Sequence, residues 1–123
     1  MKEILEGEER DRFLAVLADW KIRNIVFWGN DARRKLDEHL PGQTEDSVGE
    51  ILYRHALTGG KIWKVEEDRH WKEIWDFHYD MILNIDGQDI YVETRFDERI
   101  RDWPKIHIVH LHPPGWHFKQ KKP

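Results

Sequence analysis

The chain has 123 residues, of which 36% are charged and 39% are hydrophobic, and its formal net charge is −4. This balance predicts a single domain, residues 1–123, that buries a core, and no apolar run approaches the roughly 18 residues that a membrane span needs. The absence of cysteine excludes disulfides and thiolate metal sites.

The acidic N-terminal segment, MKEILEGEERDRF, lacks the apolar stretch of a signal peptide, so we expect a cytoplasmic protein. The negative net charge counts against nucleic-acid binding, because neutralising phosphates usually requires a basic surface. Two local basic segments remain, DARRKL at residues 31–36 and a tail at residues 117–123. Any contact with RNA is therefore expected to use a local patch.

Three helices are predicted in the first half of the chain. Apolar residues at the i, i+3, i+4, i+7 spacing predict the first helix over residues 8–21. The second is predicted over residues 31–40, with Asn30 or Asp31 as its cap and a Pro-Gly pair at its end. Thr44, a favoured N-cap residue before two acidic residues, predicts the third over residues 44–57.

Four strands are predicted in the second half, over residues 61–65, 77–85, 88–96 and 105–112. The pair Asp86–Gly87 separates the second from the third and favours a tight type I′ hairpin. This turn predicts the following pairs: Ile85 with Gln88, Leu83 with Ile90, Met81 with Val92, and Tyr79 with Thr94.

The hairpin register separates an apolar face from a polar face, because side chains alternate along a strand. The polar face is predicted to carry His78, Asp80, Ile82 and Asn84 on one strand and Asp89, Tyr91, Glu93 and Arg95 on the other. The apolar face needs a cover of helices. The pattern therefore predicts an α+β domain, with N-terminal helices packed on one face of a mainly antiparallel sheet of about four strands.

The last strand, KIHIVHLH, is apolar on both sides. Strict alternation places Ile106, Ile108, His110 and His112 on one face and His107, Val109 and Leu111 on the other. We expect His110 on the polar face and His107 in the helix-covered core, because one buried histidine is easier to satisfy than two.

Helices come first in the chain, followed by ILYRHALTGGKIWKV, then by WDFHYDMILNIDGQDIYVETRF, and finally by a strand ending in HLHPP. This order of segments resembles the MqsR-like branch of the RelE-type toxins. These are small ribonucleases of bacterial toxin–antitoxin systems, and the resemblance covers about residues 31–115. It implies a RelE- or barnase-like fold and a metal-independent endoribonuclease without a cofactor, with RNA as substrate and a small antitoxin protein as partner. The chain departs from the family at Glu93, where the YIK-like strand tends to carry a phosphate-binding lysine.

Cleavage of RNA without a metal requires a base for the 2′-hydroxyl proton, an acid for the leaving oxygen and a cation for the phosphorane. The candidate catalytic residues are His78, Glu93 and His110 for proton transfer, Arg95 as the cation and Tyr91 as a hydrogen-bond donor. Pairing Asp80 with Glu93 sets two carboxylates side by side, which costs energy unless a proton or a cation lies between them.

Two alternatives stay open. The seven tryptophans or a sheet edge could serve a non-catalytic protein-binding module, or a homodimer. His110 and His112, two apart on a strand, could hold a metal together with neighbouring carboxylates, although we expect none. A catalytic face needs a concave opening near the histidines, whereas a binding module exposes a flat tryptophan patch or an unpaired edge.

Overall fold

The computed structural model describes residues 2–67 and 75–113, which form three helices and one six-stranded sheet. The helices are α1 (Gly7–Leu17), α2 (Asn30–His39) and α3 (Glu45–Leu57). The strands are β1 (Lys2–Ile4), β2 (Val26–Trp28), β3 (Trp63–Glu66), β4 (Phe77–Ile85), β5 (Gln88–Asp97) and β6 (Lys105–His112). Their order in the sheet is β1-β3-β4-β5-β6-β2. Neighbouring strands are antiparallel except β2 and β6, which are parallel.

The predicted α+β class is confirmed, but the sheet has six strands instead of about four. The two additional strands, β1 and β2, have three residues each, which is too short for an alternation signal in the sequence. The tail predicted at residues 117–123 lies outside the described residues. None of the described helices is both long and apolar enough to cross a membrane.

The helix ends differ from the prediction at two places. Helix α1 ends at Leu17 instead of residue 21, and the turn that follows places the side chain of Trp20 against Gly49 of α3. The N-cap of α2 is Gly29 and makes no side-chain cap, so Asn30 lies inside the helix. The predicted cap of α3 is confirmed, because Thr44 Oγ1 accepts a hydrogen bond of 3.0 Å from the backbone N–H of Ser47.

The hairpin of β4 and β5 has the predicted turn and register. Asp86 and Gly87 have φ values of 54° and 81°, as a type I′ turn requires. The apolar face packs on the helices, where the ring of Phe13 lies 5.7 Å from that of Tyr79 and 5.2 Å from that of Phe96. The opposite face of the hairpin, the polar face, carries the candidate site.

Strand β6 departs from strict alternation at Val109. Thr94 pairs with Ile108 but Glu93 pairs with His110, so Val109 is an extra residue in a β-bulge. Beyond the bulge the alternation restarts, and the buried residues of β6 on the helix side are Ile106, Ile108 and Leu111. The three histidines of the strand, His107, His110 and His112, all lie on the polar face.

His110 is therefore on the expected face, whereas the prediction that His107 lies in the helix-covered core is wrong. His107 pairs with Arg95 on the polar face and hydrogen-bonds to Asp97. The bulge has a clear physical benefit, because it lets two isoleucines and a leucine reach the core without burying a histidine among them. Under strict alternation, either choice of face would have placed a histidine beneath the helices.

We expect Gly87→Ala to lower the free energy of unfolding by about 1 kcal/mol, because an L side chain is strained at positive φ. Gly42→Ala is the matched control, since a Cβ at either position has nothing within 4 Å but Gly42 lies outside the left-handed region. Its stability should be unchanged or slightly raised. Urea denaturation measures both, and equal effects would contradict the turn assignment.

Candidate functional site

The polar face places titratable side chains in rows across β4, β5 and β6. Asp80 pairs with Glu93, and Glu93 pairs with His110, so these three residues form one row. Tyr91 and His112 form the next row on one side of it, and Arg95 and His107 pair on the other side. All five predicted catalytic residues, His78, Tyr91, Glu93, Arg95 and His110, therefore lie on one face of three neighbouring strands.

A histidine–carboxylate pair lies at the centre of this face. Nδ1 of His78 is 2.6 Å from Oδ1 of Asp80, and both side chains are largely buried. This contact leaves Nε2 as the ring atom of His78 that can exchange a proton with a substrate. The arrangement orients the imidazole, as a carboxylate does beside a catalytic histidine.

The hydroxyl of Tyr91 bridges the two carboxylates that face each other across the hairpin. It donates to Oδ2 of Asp80 at 2.8 Å and lies 3.2 Å from Oε1 of Glu93. Burial raises the pKa of Tyr91, and the charges of both carboxylates raise it further. Tyr91 therefore keeps its proton and acts as a donor, which reduces the repulsion expected between Asp80 and Glu93.

Arg95 is buried between two carboxylates and is only 3% exposed. Its Nη1 donates to Glu93 and its Nη2 donates to Glu67, both at 2.7 Å. Glu67 follows the end of β3 and did not emerge from the sequence, because nothing local to it indicates a partner 28 residues away. This geometry favours a positioning role for Arg95 over direct contact with a phosphate.

His110 borders an open cleft at the point where the bulge of β6 meets the start of α2. Its Nδ1 lies 3.5 Å from Oδ2 of Asp31 in the first turn of that helix. The cleft has a volume of about 340 Å³ and is lined by Gly29, Asn30, Asp31, Trp75, Arg95, Val109 and His110. The N-terminus of a helix attracts anions through its unpaired N–H groups and its dipole. Asp31 places its carboxylate at the same N-terminus, so the cleft joins a histidine to a helix start that already carries a negative charge.

His107 makes a separate contact cluster beside the cleft. Its Nε2 lies 3.1 Å from Oδ2 of Asp97. The guanidinium of Arg99 donates one hydrogen bond to each carboxylate oxygen of Asp97. The hydrogen bond from the Arg99 side chain lowers the pKa of Asp97. Burial lowers the pKa of His107, and the hydrogen bond with Asp97 offsets part of that effect. His107 is therefore expected to be neutral at pH 7.

The fallback metal pair, His110 and His112, is not brought together with a third ligand among the described residues. The His112 ring packs on Tyr91 at 5.1 Å, and its Nδ1 lies 3.0 Å from the carbonyl oxygen of Pro113. A different group could hold an ion: His78, Asp80 and Glu93 each offer a ligand atom, and these atoms lie within 4.8 Å of one another.

Comparison with known proteins adds no further assignment. No family model, curated protein or solved structure matches the chain. The case for a function therefore rests on the geometry of the polar face.

We expect Arg95→Met to lower the free energy of unfolding by about 3–5 kcal/mol, because it leaves Glu93 and Glu67 buried without their shared cation. Arg54→Met is the control, since the Arg54–Glu50 pair lies on the surface of α3 and should contribute about 0.5 kcal/mol or less. Chemical denaturation measures both. Adding Glu93→Leu to Arg95→Met should recover part of the loss, and an Arg95 variant as stable as the Arg54 variant would contradict the buried pairing.

The lowered pKa of His107 predicts a pH dependence of stability. Because the native state holds the neutral ring, His107 contributes stability above its unfolded pKa of about 6.5, and this contribution is lost as the pH falls towards its lower folded pKa. His107→Gln should therefore lose less stability than the wild type between pH 7 and pH 5. Denaturation at both pH values tests this, and equal losses in the two proteins would show that His107 does not titrate as expected.

Proposed function

We propose that the chain is an endoribonuclease that cleaves RNA by metal-independent acid–base chemistry on the polar face. The single observation that carries the proposal is the largely buried pair of His78 and Asp80, 2.6 Å apart, on the sheet face that also holds His110 and its cleft. A RelE- or barnase-like fold is part of the proposal, which the α+β class supports, with a hairpin and a last strand supplying the site. A cytoplasmic setting and a small antitoxin partner belong to the proposal through the resemblance to RelE-type toxins.

The proposed reaction uses the two histidines as base and acid. Asp80 holds Nδ1 of His78, so that Nε2 takes the proton of the 2′-hydroxyl and the resulting oxygen attacks the phosphorus. The bond from phosphorus to the 5′-oxygen breaks, and His110 gives that oxygen a proton. The products are a 2′,3′-cyclic phosphate and a free 5′-hydroxyl. This assignment needs no cofactor and leaves each histidine in the opposite protonation state, ready to be reset by water.

The remaining residues of the face position this pair and meet the charge of the substrate. Tyr91 bridges Asp80 and Glu93, and Arg95 fixes the other oxygen of Glu93. Because Arg95 is buried, the start of α2 beside His110 is the better candidate for contact with the phosphate. This division of roles accounts for a site that carries a glutamate where a lysine is typical of the family.

A second candidate is metal-dependent cleavage at the same face. The ligand atoms of His78, Asp80 and Glu93 lie within 4.8 Å of one another, and a mixed set of one imidazole and two carboxylates suits a divalent transition metal. In that case the ion would generate the attacking hydroxide from water and no 2′-hydroxyl would be needed. The product ends therefore distinguish the two candidates.

We expect the protein to cleave an end-labelled single-stranded RNA equally well with and without EDTA, leaving cyclic phosphate ends. His78→Ala and His110→Ala should each reduce the cleavage rate by about 100-fold or more, since general acid–base catalysis typically contributes about 10²–10⁴-fold. Ile82→Ala is the control, because Ile82 is exposed on the same face and has no proton to transfer.

Loss of cleavage in EDTA with recovery on adding a divalent metal, or cleavage of a strand lacking 2′-hydroxyls, would replace the first candidate by the second. Wild-type rates in His78→Ala would remove the histidine–carboxylate pair from the mechanism altogether.

A further inference from the structure

A row of rings runs along the polar face beside the cleft. Phe27 of β2 pairs in parallel register with His107 of β6, and their ring centroids lie 5.3 Å apart. The ring centroid of Trp75 lies 5.4 Å from that of His107, so His107 contacts both aromatic rings. Phe27 is 42% exposed, whereas its neighbour Trp28 is buried in the core.

Trp75 joins the row to the cleft. The guanidinium carbon of Arg99 lies 4.6 Å from the centre of the Trp75 ring, and His107 packs on the same indole. Trp75 also lines the cleft, together with His110. Neutral His107 continues the row as a ring without adding a charge that would repel Arg99. The rings of Phe27 and Trp75 are tilted by 52° and 59° to that of His107, so the row is a stepped aromatic surface beside a candidate catalytic histidine.

The composition and size of this surface favour one class of occupant. A nucleobase stacks on any exposed aromatic ring. The cleft, at about 340 Å³, has the size of a pocket for a small ligand and can take one nucleotide. Bases inside a duplex are stacked on one another and cannot reach such a surface.

We infer that Phe27, His107 and Trp75 form a stacking platform for unpaired nucleobases, on which Trp75 holds the base nearest the phosphate that is cleaved beside His110. This inference rests on the proposed ribonuclease function and adds the residues that select an unpaired segment of the strand. Trp75 and Phe27 are then determinants of substrate binding, and the acid–base residues are not.

The test is a double-mutant cycle that combines a change in the protein with the removal of one base from the RNA. The ligand is a labelled 2′-O-methyl RNA oligonucleotide, which cannot be cleaved because its 2′-oxygens carry no proton. Fluorescence anisotropy at one salt concentration compares the wild type with Trp75→Ala and with Trp103→Ala. Trp103 is the matched control, because it is 52% exposed but lies in the loop between β5 and β6, outside the row. We expect about 10-fold weaker binding for Trp75→Ala and no change for Trp103→Ala.

The second arm removes the base instead of the ring. Oligonucleotides with one abasic position are scanned, and one position should weaken binding to the wild type about 10-fold without weakening binding to Trp75→Ala any further. A duplex of the same sequence should bind at least 10-fold more weakly than the single strand. Trp75→Phe should keep most of the affinity, which separates stacking from a general loss of structure.

The inference is overturned if Trp75→Ala binds like the wild type, if no abasic position is coupled to Trp75, or if the duplex binds as tightly as the single strand. Because binding is measured without cleavage, these outcomes are independent of the proposed function. If Trp75 is coupled to one base but the protein does not cleave ordinary RNA, the stacking platform is supported and the ribonuclease function is contradicted. If the wild type cleaves RNA but no base is coupled to Trp75, the ribonuclease function is supported and the platform is contradicted.

Discussion

The arrangement of the polar face depends on one buried cation. Arg95 joins Glu67 at the end of β3 to Glu93 on β5, and at 3% exposure its charge is stabilised by these carboxylates instead of water. Glu93 in turn meets the hydroxyl of Tyr91, which also binds Asp80. In a site of low dielectric such bonds strengthen one another, and the loss of one member leaves a buried group without its partner. The orientation of the whole cluster therefore follows from the position of a single guanidinium.

The buried cation also bears on the proposed ribonuclease function. Glu93 accepts a hydrogen bond from Arg95, two residues further along the same strand. The charge of Arg95 is balanced inside the protein and is largely hidden from a polyanion. In the proposed reaction the contact with the phosphate falls to the start of α2, next to His110.

The parts of the structure that could be predicted have strong local signals. Asp86–Gly87 and the strict alternation around it predict the hairpin register, and Thr44 predicts a helix start. The bulge at Val109 has no comparable signal, because one extra residue reverses the alternation and leaves the composition of the strand unchanged. Glu67 joined the site through a contact between distant strands, which only the three-dimensional arrangement reveals. The hairpin residues of the candidate site could be predicted because their register is set by a local turn. Glu67 could not, because its place in the site depends on a contact between residues far apart in the sequence.

The short outer strands of the sheet have a consequence for self-association. Of the six described strands, the two at the edges, β1 and β2, have three residues each. An exposed strand edge is a template on which another chain can add a strand, and its length sets how many backbone hydrogen bonds that addition can form. Each of these two strands offers an incoming strand only three residues to pair with. Extension of the sheet along β1 or β2 can therefore form few backbone hydrogen bonds, and these two strands are poor templates for the addition of another chain.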